Sequence, residues 1–154
     1  MAKISNLTKL PSEFVDDPKF ISKLRTKYLG AAAGSEKLYI NIDYIKPGGK
    51  SAKYHSHSRQ EEFFAILKGN GLLRFNDEET QVTTNDFFAK PAGIGIAHQF
   101  INNSNSILII LDCGTRDNND EIYYPDENIK YRKKEKQAYK DGKPINNWSS
   151  DPNE

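Results

Sequence analysis

The chain has 154 residues, 36% of them hydrophobic, with 22 basic against 21 acidic side chains and a formal net charge of +1. That length suits one domain with tails to spare. The balanced charge leaves no electrostatic footprint for nucleic acid or an anionic membrane surface, so neither is an expected partner.

Residues 1–37 read as an N-terminal arm punctuated by Pro11, Pro18, Gly30 and Gly34. Within it the spacing of Phe20, Ile21, Leu24 and Tyr28, after Asp16 and Asp17 as caps, predicts a short helix over 18–28. From Leu38 the period changes to two. Leu38, Ile40, Ile42 and Tyr44 alternate with Tyr39, Asn41 and Asp43 as in a half-buried strand that stops at Pro47-Gly48-Gly49. Short β segments follow over 52–57, 62–67, 72–75, 79–82, 86–90, 98–102 and 107–111, separated by turn chemistry such as Gly69-Asn70-Gly71 and Asn102-Asn103-Ser104-Asn105. Many short strands without intervening helices predict an all-β antiparallel sandwich or barrel over 38–125.

Cys113, the only cysteine, follows the apolar run Ile107–Leu111 and reads as an inert, buried thiol. No wholly apolar run exceeds five residues, and the N-terminus lacks a signal-peptide core, so a soluble cytoplasmic protein is expected. Thr115–Asp120 reads as a loop and Glu121–Tyr124 as an edge strand stopped by Pro125. Residues 126–154 form a polar, irregular C-terminal extension. Its Trp148 is expected to anchor it to the domain or a partner.

All three histidines fall where a metal could use them. On a strand, His55 and His57 project to one face, and a carboxylate at the start of the next strand and His98 from a distant strand could complete a pocket of nitrogen and oxygen ligands. Glu61 and Glu62 compete for the carboxylate. The shared parity of Glu62 with Phe64 and Ile66, an apolar inward face, favours Glu62 and turns Glu61 outward. Phe75, Phe88 and Phe100 read as core. Gln99 and Asn102 could orient ligands, although Asn102 could equally serve a turn. Arg74 either faces solvent or grips a substrate anion.

Gly49, His55, His57, Glu62 and Gly69 stand at the spacing of the first motif of the cupin superfamily, and Pro91, Gly93, Gly95, His98 and Asn102 fit the second with two extra residues before His98. The chain resembles small single-domain bacterial cupins of largely uncharacterised function. The resemblance implies a jelly-roll β-barrel with a short helical N-terminal arm, and one divalent metal ion (Mn, Fe, Ni, Co or Zn) held by His55, His57, Glu62 and His98. It also implies dioxygenase-, isomerase- or decarboxylase-type chemistry on a small oxygen-bearing molecule, with non-catalytic binding or sensing as the alternative. No further histidine supplies a general base, which leaves Glu62, a metal-bound hydroxide, Tyr44 or Tyr54. The long terminal segments add the expectation of a homodimer.

Overall fold

A computed structural model describes residues 4–153. A 3-10 turn at Leu7–Lys9 and a helix α1 at Leu29–Ala33 are its helical elements among the described residues. The rest is antiparallel β structure: β1 (Leu24–Tyr28), β2 (Leu38–Ile45), β3 (Ser56–His57), β4 (Glu62–Lys68), β5 (Asn70–Phe75), β6 (Glu78–Thr83), β7 (Phe87–Lys90), β8 (His98–Ile101), β9 (Leu108–Thr115), β10 (Glu121–Tyr124), β11 (Ile129–Arg132), β12 (Gln137–Lys140) and β13 (Lys143–Ile145). They form sheets ordered β1-β2-β9-β4-β7, β13-β12-β11-β10-β3 and β6-β5-β8. These sheets do not close into one hydrogen-bonded barrel. Isolated bridges, His55 to His98 and Lys50 to Ile101, join the neighbouring walls.

Two expectations are corrected. No helix spans 18–28. The side chains of Leu24, Thr26 and Tyr28 line the interior cavity, and β1 pairs with β2 from Leu24↔Ile45 to Tyr28↔Asn41. Period two therefore governs the segment, because an edge of the main sheet is available to it. Asp17 closes a turn instead of capping a helix, accepting from the Lys19 amide at 2.9 Å. The C-terminal extension is likewise not irregular. Its strands β11–β13 continue from β10, which lies between β11 and β3 and not at an edge. Tyr124, Ile129 and Ala138 bury a small core there, against which Trp148 packs with its ring 4.5 Å from that of Tyr124. Trp148 thus anchors the extension, as its isolation among polar residues suggested.

The terminal segments also meet each other: the Ile21 amide donates to the Pro152 carbonyl at 2.9 Å, and the Lys53 amide to the Ser150 carbonyl at 2.8 Å. Helix α1 lies against β2 at Gly30, where a Cβ would stand 2.9 Å from the Ile40 nitrogen.

The main sheet divides its inward face lengthwise. Along β4 the inward side chains run Glu62, Phe64, Ile66. Along β9 they run Gly114, Asp112, Ile110, Leu108, and along β2 Tyr39, Asn41, Asp43, Ile45. The registers Glu62↔Gly114, Phe64↔Asp112 and Ile45↔Leu108 keep inward-facing positions side by side. Ile45, Phe64, Ile66, Leu73, Val82, Phe100, Leu108 and Ile110 close the apolar end, with Phe75 and Phe88 packed against them. Fully burying each such side chain is worth roughly 1.5–3 kcal/mol. The other end of the interior is polar, and it holds the site.

Candidate metal centre

The cavity, about 350 Å³, is lined by residues that include His55, His57, Glu62, His98, Tyr39, Asp43 and Asp112. His55 arrives from the segment before β3 and His98 from the start of β8, and the bridge between them sets their rings 4.9 Å apart. The two extra residues before His98 are absorbed in the turn at 91–97, where Gly93 and Gly95 take positive φ of 74° and 70°. His57, two residues beyond His55, brings its ring to 5.0 Å from that of His55. Glu62 opens β4 and is 4% exposed, while Glu61 faces solvent.

His55, Glu62 and His98 each offer a ligand atom, and these atoms lie within 4.8 Å of one another. His55 Nδ1 lies 2.6 Å from the Lys53 carbonyl, which makes Nδ1 the protonated nitrogen and leaves the Nε2 lone pair to the cavity. His57 stands beside this trio, clamped by its Nδ1 2.6 Å from Asp120 Oδ2 and its Nε2 3.2 Å from Glu62 Oε1. Glu62 Oε2 is buried and accepts no hydrogen bond of proper geometry. Two imidazoles and a carboxylate with a lone pair to spare fit a divalent first-row cation. Glu62, His57 and Asp120 form the kind of carboxylate–histidine support that orients metal-site residues.

Burial pushes the His55 imidazole down to about 3, with His57 and Lys90 adding to the effect. His98 is held well below its ordinary value by burial and then by Lys90. Neutral imidazoles are the ligating form. For Glu62, burial acts upward, but the hydrogen bond with His57 and the charges of His57 and Lys90 more than offset it and keep the carboxyl ionised.

Several site residues escaped the sequence reading. Lys90, 1% exposed at the end of β7, places Nζ 2.7 Å from Glu62 Oε2. Tyr39 donates from its hydroxyl to Asp112 at 2.9 Å and lies 3.2 Å from Glu62 Oε1. Gly114 makes room for that ring, since a Cβ there would come within 2.8 Å of Tyr39 Cε1. Burial raises both the Asp43 and the Asp112 carboxyl above their usual range, and the charge of Asp43 adds to the effect at Asp112. Thr26 donates to Asp43 at 2.6 Å. Asp120, 1% exposed, accepts from the amides of Arg59 at 2.8 Å and Gln60 at 3.1 Å besides holding His57.

Other expected roles are redistributed. Arg74 pairs with Asp126 through two nitrogens, at 2.6 and 3.0 Å, and stacks on Tyr54 outside the cavity. The Asn102 amide donates to the Ile45 and Ser106 carbonyls, fixing a turn, and Gln99 donates to the Ala52 carbonyl. Tyr54 bonds Asp77. Tyr44 carries Arg25 on its ring on the outer side of β2.

A family model described as a cupin domain matches residues 42–114, the stretch that supplies His55, His57, Glu62 and His98. The chain contains a cupin domain. Its fold is similar to that of a cupin-superfamily sugar phosphate isomerase from Silicibacter pomeroyi DSS-3, with TM-score 0.83 and 25% identity over 94% of this chain and 98% of that one. A proposed sugar phosphate isomerase from Acidithiobacillus ferrooxidans ATCC 23270 aligns with TM-score 0.68 and 27% identity over 79% of this chain and 74% of that one. A predicted oxalate decarboxylase from Thermotoga maritima shares the fold of this cupin domain at TM-score 0.61 and 17% identity, over 73% of this chain and 98% of that one. No curated protein matches the chain. Among the described residues, no helix is long and apolar enough to cross a membrane.

Proposed function

We propose that the cavity binds one divalent metal and isomerises a small hydroxylated carbonyl compound of the sugar-phosphate type. The observation that carries this reading is the convergence of His55, Glu62 and His98 on a cavity whose remaining wall sets several hydrogen-bonding groups among apolar side chains. Thr26, Asn41, Asp43, Ser51 and Gln60 line it. A volume of about 350 Å³ lies at the small end of the roughly 300–1,000 Å³ range of ligand pockets. Lys133 reaches the same cavity from the turn after β11, its Nζ 2.6 Å from Gln60 Oε1, and offers a cation to an acidic substituent. The likeness in fold to sugar phosphate isomerases supports the substrate class.

His55, Glu62 and His98 would hold the metal, with His57 as a fourth donor or as the orienting partner of Glu62. When bound, the metal would polarise the substrate carbonyl as a Lewis acid. Moving a proton between neighbouring carbons also needs an acceptor and a donor. Tyr39, hydrogen-bonded to Asp112 and 3.2 Å from Glu62 Oε1, would hold such a proton beside the cavity together with these carboxyls and Asp43. In this reading these groups take the base's role that the histidine count left open.

Elemental analysis of protein purified without chelators should find one bound metal per chain. A panel of aldose and ketose phosphates followed by NMR should reveal interconversion that falls about 100-fold or more in His55→Ala. Metal retention and tight ligand binding without turnover of any panel member would replace the enzyme by a binding module. A homodimer belongs to the same proposal. Phe63 and Phe87, 37% and 72% exposed, stack on the outer face of the main sheet and present an apolar surface to a second copy. Light scattering should then give twice the chain mass, and the mass of a single chain would remove the dimer.

A further inference from the structure

The register Glu62↔Lys90 between β4 and β7 turns both side chains inward, and Lys90 ends inside the group of residues that would hold the metal. Its Nζ stands 2.7 Å from Glu62 Oε2 and 2.6 Å from His98 Nδ1, and donates to the His55 carbonyl at 3.3 Å. The cation-binding groups therefore already face a cation that belongs to the chain.

The imidazole of His98 makes this consequential. A neutral imidazole has one N–H and one lone pair, and a lysine ammonium is a donor only. With the ammonium donating to Nδ1, the lone pair is on Nδ1 and the hydrogen on Nε2. Neither nitrogen is then free to ligate. Coordination through Nδ1 requires the lysine to withdraw, and coordination through Nε2 requires Nδ1 to become a donor, which an ammonium cannot accept. Charge acts in the same direction. Glu62 and Lys90 cancel each other, so a dication added beside them meets an unscreened like charge in a buried setting.

We propose that Lys90 is an internal rival of the metal: its ammonium fills the metal-free site, must leave His98 Nδ1 before His98 can ligate, and so sets the metal affinity below that of the same ligands alone. This rests on the metal-site reading above. Its effect is to make loading reversible and responsive to the supply of metal, with the metal-free form kept folded and charge-balanced.

Calorimetric titration of the chelator-treated chain with MnCl2 and ZnCl2 tests it, comparing wild type with Lys90→Met and Lys90→Gln. The glutamine variant keeps a donor for Glu62 and guards against a methionine variant that fails to fold. Tighter binding by about tenfold or more in a folded Lys90 variant is the expected result. Equal or weaker binding than wild type overturns the role of Lys90 while leaving the metal site in place. Absence of binding in wild type and variants alike removes the metal site and this inference with it. Nitrogen-15 NMR of the metal-free wild type provides a readout that needs no substitution. The His98 ring should show an unprotonated Nδ1 and a protonated Nε2, and the opposite tautomer would contradict the proposal.

Discussion

Glu62→Ala is expected to cost the fold about 3–5 kcal/mol, the range for removing one partner of a buried ion pair. It leaves the Lys90 ammonium buried without its carboxylate and frees His57 Nε2 and the Tyr39 hydroxyl from their shared acceptor. Metal retention should be lost at the same time. Urea denaturation reads the stability, and elemental analysis reads the metal. The double variant Glu62→Ala/Lys90→Met should recover most of the lost stability and none of the metal, because it removes the stranded charge without restoring a ligand. If the single substitution costs less than about 1 kcal/mol, as exposed ion pairs do, water must reach Lys90 and the site is more open than the structure shows.

Asp120→Ala is the second large effect. The carboxylate draws together His57 Nδ1, the amides of Arg59 and Gln60, and the Ser58 hydroxyl at 3.3 Å, and so ties the start of β10 to the loop between β3 and β4. Hydrogen bonds to a charged group contribute about 1.5–3 kcal/mol each. A loss of about 3 kcal/mol or more is therefore expected, along with a His57 ring no longer fixed toward Glu62. Asp120→Asn shows the electrostatic part through pH. Burial acts to raise the Asp120 carboxyl, but the His57 and amide hydrogen bonds outweigh it and bring it down to about 2 from an ordinary 3.8. A carboxyl depressed on folding stabilises the native state above its unfolded value, and the contribution disappears as pH falls from about 3.8 toward 2. The wild-type melting temperature should drop across that window, and the Asp120→Asn profile should be flatter there. His57 carries the opposite sign. Burial alone would lower its imidazole, yet Asp120 and Glu62 raise it. Its contribution is full below the unfolded value and fades as pH rises through the raised one. Identical acid profiles for the two proteins would show that Asp120 carries no net charge stabilisation.

Period-two patterning made most of the strands legible, since alternation between faces is a property of the chain alone. It failed where either face could have been the inner one. On β2 the apolar set Ile40, Ile42 and Tyr44 looks like the core side, yet Tyr39, Asn41 and Asp43 face the cavity. A polar interior inverts the rule that locates it. The segment 18–28 failed for another reason: four apolar residues at helical spacing also contain alternate residues suited to a strand, and the free edge of β2 decided between them. His55, Glu62 and His98 were readable because metal-ligand chemistry restricts residue type and spacing together. Asp120, 63 residues from His57, carries no such local mark, and its partnership exists only through the pairing of β3 with β10. Lys90 did leave a sign. Phe88 was assigned inward, and Lys90 shares its parity, so a buried lysine followed from that assignment.

The cupin match ends at residue 114, but the cavity does not. Lys133, which lines it, and Asp120, which holds His57 from behind, stand on either side of the β10–β11 hairpin and lie beyond that boundary. Two related chains could therefore keep every motif histidine and glutamate while differing in what steers His57 and what charge meets the ligand at the entrance. Evolution can retune such a site by exchanging a C-terminal hairpin without touching the signature that identifies the domain.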